Sequence, residues 1–248
     1  MDLRERNSAM RYRHPWETVR SSFFTKLIKL NTPAKSLSAL DLGAGDCWFA
    51  EQIINRIHAG STVACCDVNF TDSDMTMASS NNLRRYRNPP NEKYDLVIMA
   101  DVLEHIEDDR EFLSSVVAPR IRDGGILLIS VPAHQRLFSS HDTFLGHFRR
   151  YSRTQLLLLV GEQFEPVSSG YLFVSLALAR FLQKRLKPIG GSDELGVGSW
   201  KHGWFITQVV TLVLHLDAKI GRMFNMLGVP IPGLTTWVVA VPRVDKLL

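Results

Sequence analysis

Cysteine is scarce in this sequence: Cys47, Cys65 and Cys66 are the whole complement of 248 residues, and no Cys-x-x-Cys pair occurs. That excludes a disulfide scaffold and a cysteine-based metal centre and points to reduced, buried thiols in a reducing compartment. Long apolar runs are also missing. The two longest, residues 171–182 and 204–216, are broken by Arg180, Gln208 and His215 and fall short of the roughly 18 to 20 residues that a spanning helix needs. An excess of one charge sign is lacking too, since 29 basic residues face 25 acidic ones. A formal charge of +4 permits an anionic ligand without demanding a nucleic acid, and no nucleic-acid partner is expected. Residues 1–13 are charged, with no apolar stretch behind them, so no secretory leader is expected and a cytoplasmic location is predicted. No internal repeat or low-complexity tract is present.

What remains is the composition of a folded protein, 45% hydrophobic and 22% charged, long enough for one large domain or one domain with an insertion. From Ser38 onward short apolar runs alternate with helical stretches, the pattern of a parallel sheet with crossover helices. Strands are predicted at residues 37–42, 62–68, 94–100 and 126–131, with a weak one at 83–86 and two more at 165–169 and 235–241. Helices are predicted at 47–57, 109–121 and 154–162, and a turn at Asp123-Gly124-Gly125.

Leu40-Asp41-Leu42-Gly43-Ala44-Gly45 joins the first strand to the first helix, where glycines let the backbone approach a ligand lying beyond the strand ends. Asp67 closes the next strand, 22 residues after Gly45, placed to accept hydrogen bonds from ribose hydroxyls. Together they indicate an adenosine-containing cofactor. Asp41 would repel a pyrophosphate at the helix N-terminus and favour the cationic ammonium and sulfonium of S-adenosylmethionine. The third glycine of the dinucleotide fingerprint is missing, because the run ends in Trp48.

These residues, with Tyr94-Asp95-Leu96-Val97-Ile98-Met99-Ala100-Asp101-Val102-Leu103-Glu104-His105 and Asp123-Gly124-Gly125-Ile126-Leu127-Leu128-Ile129, resemble the class I S-adenosylmethionine-dependent methyltransferases. The likeness spans residues 37–131. It implies an α/β, Rossmann-like, mostly parallel seven-stranded sheet with helices on both faces and a helical insertion before the last strand. It also implies that Asp41, Gly43 and Gly45 meet the methionine end of the cofactor, Asp67 the ribose, and Asp101 and Val102 the strand-four side. Two departures stand out: Cys47 occupies a position where the family often has another glycine, and no adenine-binding acid is evident between Asn81 and Asn91. Asn88-Pro89-Pro90-Asn91 is similar to an amino-methyltransferase motif, but it precedes strand four and ends without an aromatic, which makes it a decoy.

The segment from Ala133 to Arg153 is too long to be a mere connector and leaves the ligand-binding edge of the sheet. His141 is the candidate general base, with Asp142 as an orienting acid for it or for another group of the loop. Arg149 and Arg150 are candidates to hold a substrate carboxylate or phosphate, and His105, His134, His147 and Tyr151 to complete the acceptor wall. The spacing of His134, His141 and His147 matches no compact ligand motif, so no metal is expected. The segment resembles a bacterial methyltransferase subgroup linked to cell-surface polysaccharide, lipid and secondary-metabolite pathways. That subgroup also shows a His-x-Trp followed by Arg, here His14, Trp16 and Arg20, implying a helix that closes over the cofactor.

The expected organisation is a cap helix region at 1–35, a core at 36–170 and 230–248, and an apolar helical insertion at 171–229. In the insertion Arg180, Lys184 and Lys187 share one helical face. A second helix sets a polar stripe of Thr207, Thr211 and His215 against Val209, Val210, Leu212, Val213, Leu216 and Ile220. Such helices suit a lid, a dimer contact or a peripheral contact with the inner membrane face, and the oligomeric state stays open. The function expected is O-methylation of a small or lipid-linked acceptor. A nicotinamide-dependent oxidoreductase and a non-catalytic membrane or partner-binding module are the alternatives.

Overall fold

The computed structural model describes residues 13–33, 35–77, 81–186, 200 and 202–243. Seven strands form one sheet in the order β3-β2-β1-β4-β5-β7-β6: β1 (Ser38–Leu42), β2 (Thr62–Cys66), β3 (Leu83–Tyr86), β4 (Tyr94–Ala100), β5 (Ile121–Pro132), β6 (Phe164–Leu172) and β7 (Thr235–Pro242). β7 runs antiparallel to β5 and β6, and the remaining neighbours are parallel. The chain order reverses between β1 and β4, which opens a crevice at their carboxyl ends.

Strand alternation sends side chains to both faces, and each face has its own core. Leu96, Ile98 and Leu128 join Val19, Phe24 and Ile28 of helix α1 (Pro15–Asn31) and Ala50 and Ile53 of α2 (Trp48–Ile54). Val97, Met99, Leu127 and Ile129 pack on the opposite side, against Leu113 and Val117 and against Leu156 and Val160. Each such side chain contributes about 1.5 to 3 kcal/mol by leaving water. Continuous apolar strands like β4 are therefore what a sheet covered on both faces requires.

A short helix, α3 (Asp72–Thr76), leads to β3, and β3 and β4 match their predicted spans. The helix expected at 109–121 is less regular. One turn, α4 (Asp109–Glu111), passes into a π-helical turn (Phe112–Val117) and a tighter turn (Ala118–Arg120). β5 begins five residues early because Ile121 pairs with Tyr94, after which the Asp123-Gly124-Gly125 turn bulges out before Ile126 resumes the ladder opposite Leu96. The long loop contains a tight turn (Gln135–Leu137) and a helix, α5 (Ser140–Leu145), before α6 (Arg153–Gly161).

Helices α7 (Val174–Leu186) and α8 (Trp204–Met226) lie between β6 and β7. The polar stripe of α8 faces inward and its apolar stripe outward, the reverse of an ordinary surface helix. Thr207 is buried: its Oγ1 accepts the Trp200 indole N–H at 2.7 Å and donates to the Gly203 carbonyl at 2.9 Å. Thr211 donates to the Thr207 carbonyl, Asp217 accepts from Ser175 N–H, and Asn225 donates to the Ser169 carbonyl. Leu214, Ala218 and Gly221 are buried on the same side, while Val209, Leu212, Val213, Leu216 and Ile220 are exposed. Of the expected basic face of α7 only Arg180 is described. Arg180 lines the central cavity, whereas the Lys184 side chain, Lys187 and most of the Gly-rich link at 188–203 lie outside the described residues.

Candidate active site

A cavity of about 1000 Å³ opens at the carboxyl ends of β1 and β4. The glycine loop lines it. Gly43 N–H and Ala44 N–H donate to the Cys66 carbonyl at 2.8 and 3.0 Å, and Asp67 accepts from Gly45 N–H and Asn69 N–H, each at 2.9 Å. Asp67 thus ties the two strand ends together as well as lining the cavity. Gly43 has φ +69°, and a Cβ there would stand 2.5 Å from Val102 Cγ2; only glycine leaves the loop this close to the β4 side.

Cys47 has φ 63°, so the left-handed backbone that explains a glycine at this position is present with a cysteine in it. Asp41 departs from expectation. Strand alternation turns it to the face covered by α1 and α2, where it is buried and is not part of the cavity wall. Burial pushes its carboxyl up to about 7, with the Arg20 charge opposing. An acid in that state repels a phosphate weakly, which blunts the electrostatic argument against a dinucleotide.

Asp101, also at positive φ (60°), receives the buried Arg20 guanidinium, which is stacked over the Trp16 ring at 4.4 Å and the Phe49 ring at 5.2 Å. His14 caps α1 by accepting the Trp16 N–H at 3.3 Å, and burial lowers its imidazole to about 4, so the ring is a neutral acceptor. His14, Trp16 and Arg20 all line the cavity.

The same cavity is lined by Glu104, His105, His141, Asp142, His147 and Arg150. Asp142 does not serve its neighbour His141. As the third residue of α5 its Oδ2 turns back to Ser139 N–H at 2.9 Å in a capping box. Its Oδ1 meets His147 Nδ1 at 3.0 Å, and Arg150 grips both oxygens at 2.7 and 2.9 Å. Burial opposes charge here, yet the hydrogen bonds from His147 and Arg150, the Arg150 charge and the Ser139 N–H hold the carboxyl well below the usual range. Asp142 thus holds His147 and Arg150 in place on the loop.

Three expected acceptor contacts are elsewhere. Arg149 donates to Asp109 at 3.0 Å and to the Glu107 carbonyl at 2.7 Å. Tyr151 is buried with its hydroxyl 2.7 Å from Asp109 Oδ2. His134 stacks on Tyr171 at 5.3 Å between ring centroids. None of these three lines the cavity; they tether the loop because the chain must return from β5 to α6. Arg150 does line it, but its guanidinium is spent on Asp142 and is not offered to a substrate anion.

The wall also contains residues that motif reading passed over. Val68 is 76% exposed beside Asp67 and lies with Asn69, Phe112 and Val116 on the cavity. A large apolar side chain left open directly after the ribose acid was the available signal. Pro89, from the decoy motif, joins this wall, with the Pro89 and Pro90 carbonyls held by Arg120.

A methyltransferase-domain profile matches residues 12–169. The chain belongs to the methyltransferase domain family. No curated protein matches the sequence. Among solved structures, it is similar in fold to the N-methyltransferase NodS from Bradyrhizobium japonicum, at 13% identity, TM-score 0.51 and coverage of 92% of this chain and 97% of that one. It is also similar to coclaurine N-methyltransferase bound to N-methylheliamine and SAH, at 14% identity, TM-score 0.54 and coverage of 91% and 70%. The plantazolicin methyltransferase BpumL in complex with SAH gives 13% identity, TM-score 0.53 and coverage of 92% and 85%. The family removes the footing of the nicotinamide reading.

Proposed function

We propose that this methyltransferase transfers the methyl group of S-adenosylmethionine to an oxygen of a small or lipid-linked acceptor. The observation that carries the reading is one cavity lined both by the glycine loop with Asp67 and by the imidazoles of His105, His141 and His147. Its volume of about 1000 Å³ is at the upper end of single-ligand pockets and suits a cofactor beside an acceptor. The cofactor, when bound, supplies an activated methyl group on a sulfonium.

The chain's residues do the rest. Gly43 and Gly45 leave room for the methionine end, Asp67 accepts the ribose hydroxyls, and Val68 offers an apolar surface to the adenine. Asp101, fixed by Arg20, takes the strand-four side with Val102. Holding the acceptor oxygen in line with the methyl carbon supplies several kcal/mol of the barrier. His141, half-buried on the first turn of α5 and facing this cavity, takes the hydroxyl proton as the carbon–oxygen bond forms.

The outward apolar stripe of α8 supports an amphiphilic acceptor met at a membrane surface. Among the described residues no helix is long and apolar enough to cross a membrane, so the contact would be with one leaflet. Incubating the protein with radiolabelled S-adenosylmethionine and a native lipid and metabolite extract tests the reading. Label should enter a base-stable ether or a hydrolysable ester in the lipid fraction, and entry into an amine would overturn the oxygen assignment. His141→Ala should lower turnover about a hundredfold while SAH affinity changes less than about threefold. An equal fall in both would make His141 another loop tether.

A further inference from the structure

Glu104 has no role in the methyl transfer described above, yet it is fully buried on the acceptor side of the cavity with neither carboxylate oxygen hydrogen-bonded. A buried carboxylate without a donor is costly and calls for a partner that the side chains around it do not supply. Among the described residues it forms the single group able to hold a metal: one ligand atom each from Glu104, His105 and His147 lie within 4.8 Å of one another. The His105 and His147 rings meet edge to face at 4.6 Å between centroids.

We propose that Glu104, His105 and His147 form a divalent-cation site of the borderline class, such as Zn²⁺, Mn²⁺ or Fe²⁺, on the acceptor side of the cavity.

Three features carry it. Two imidazoles with one carboxylate are a donor set for first-row divalent ions, with positions left open for an exogenous ligand. Ligand atoms bound at about 2.1 Å to one ion stand roughly 3 to 4 Å apart, so the three groups need close by only about 1 Å. The decisive feature is the fixed His147. Asp142 Oδ1 accepts the hydrogen bond of His147 Nδ1–H at 3.0 Å, which turns the Nε2 lone pair toward a cation, the carboxylate–histidine arrangement found behind metal ligands. This gives Asp142 a purpose that the sequence could not, since its partner is five residues on rather than next door.

The site deepens the oxygen-methylation reading and, for its role in turnover, rests on it. A cation bound here lowers the pKa of an acceptor hydroxyl that ligates it. The hydroxyl proton passes to His141, the new carbon–oxygen bond forms as the carbon–sulfur bond breaks, and the electron pair stays on sulfur. No oxidant or reductant is needed.

The test uses the full chain, stripped with chelator and titrated with Co²⁺, whose visible absorption reports the ligand set, in parallel with SAH calorimetry. One Co²⁺ per chain is expected. Glu104→Gln and His147→Gln should each weaken it by tenfold or more while SAH affinity holds, and His134→Gln should change neither. If Glu104→Gln also loses SAH, and so misfolds, the half-buried His105→Gln supplies the same reading. No stoichiometric Co²⁺, or a Co²⁺ affinity unmoved by these substitutions, overturns the site and leaves Glu104 as a buried neutral acid. SAH binding without Co²⁺ sinks the metal and spares the methyltransferase. Co²⁺ binding without methyl transfer from any acceptor does the opposite.

Discussion

Strand β4 and helix α8 are both strongly apolar in sequence, yet the protein treats them in opposite ways. Leu96, Val97, Ile98 and Met99 are all buried between two layers of helices, whereas Leu212, Val213 and Leu216 of α8 are each more than half exposed. Apolar content therefore fixes a demand for cover without saying what meets it. Inside the sheet the chain covers itself. On α8 Thr207, Asp217 and Asn225 fasten the helix to Trp200, α7 and β6, and the apolar face is left for something else. A contiguous exposed face of this kind marks an interaction surface more often than an accident.

The largest effect should come from breaking the self-covered half at its tightest point. Gly43→Ala places a methyl group against Val102 at a positive φ, combining backbone strain with overlap, for a cost of about 2 to 4 kcal/mol. Urea unfolding and SAH titration should both register it. Gly161→Ala is the control, since its new methyl would meet nothing within 4 Å; its stability should hold or rise slightly. Equal behaviour of the two variants would mean the glycine loop is loose in solution.

The next comparison lies within α8. Leu214 is 2% exposed and Leu212 is 71% exposed, two residues apart on the same helix. Leu214→Ala should cost about 2 to 4 kcal/mol by leaving a cavity. Leu212→Lys should change stability by less than about 0.5 kcal/mol. If the outer face meets a membrane, Leu212→Lys with Leu216→Lys abolishes sedimentation with anionic vesicles while leaving the melting temperature in place. Should the double variant instead melt as early as Leu214→Ala and turn a dimer into a monomer, the cover is a second copy of the chain.

How far the sequence spoke follows the same division. Strands β3 and β4, the glycine loop and Asp67 were legible because period, turn chemistry and spacing are local. Asp41 was misplaced because motif position says nothing about which face of a strand a side chain takes once α1 covers one of them. For Asp142 the sequence left two partners open, His141 or another group of the loop; the capping-box spacing of Ser139-Ser140-His141-Asp142 turns the acid back along the chain, and the fold supplies His147 and Arg150. Arg149, Tyr151 and His134 read as chemistry because polar residues in a long loop look alike until tertiary contacts show which ones hold it down. Glu104 was visible only as part of a motif. Its unpaired burial, and its meeting with a histidine more than forty positions on, are products of the fold.

The smallest effect tests the hinge between the two regions, where His14 enters α1 and its ring stands 4.9 Å from Trp200, which itself holds Thr207 of α8. Burial lowers the His14 imidazole from 6.5 to about 4, so the folded protein keeps it neutral while the unfolded chain protonates near 6.5. Between these values the unfolded state binds more protons, and stability falls as the pH drops from 6.5 toward 4. Asn caps a helix as well as a neutral imidazole does and does not titrate. His14→Asn should therefore match wild type at pH 7.5 and outlast it at pH 5 by on the order of 2 to 4 °C in melting temperature, with SAH affinity unchanged between the two. A difference of the same size at both pH values would show that His14 matters for its packing on Trp200 and not for its charge state.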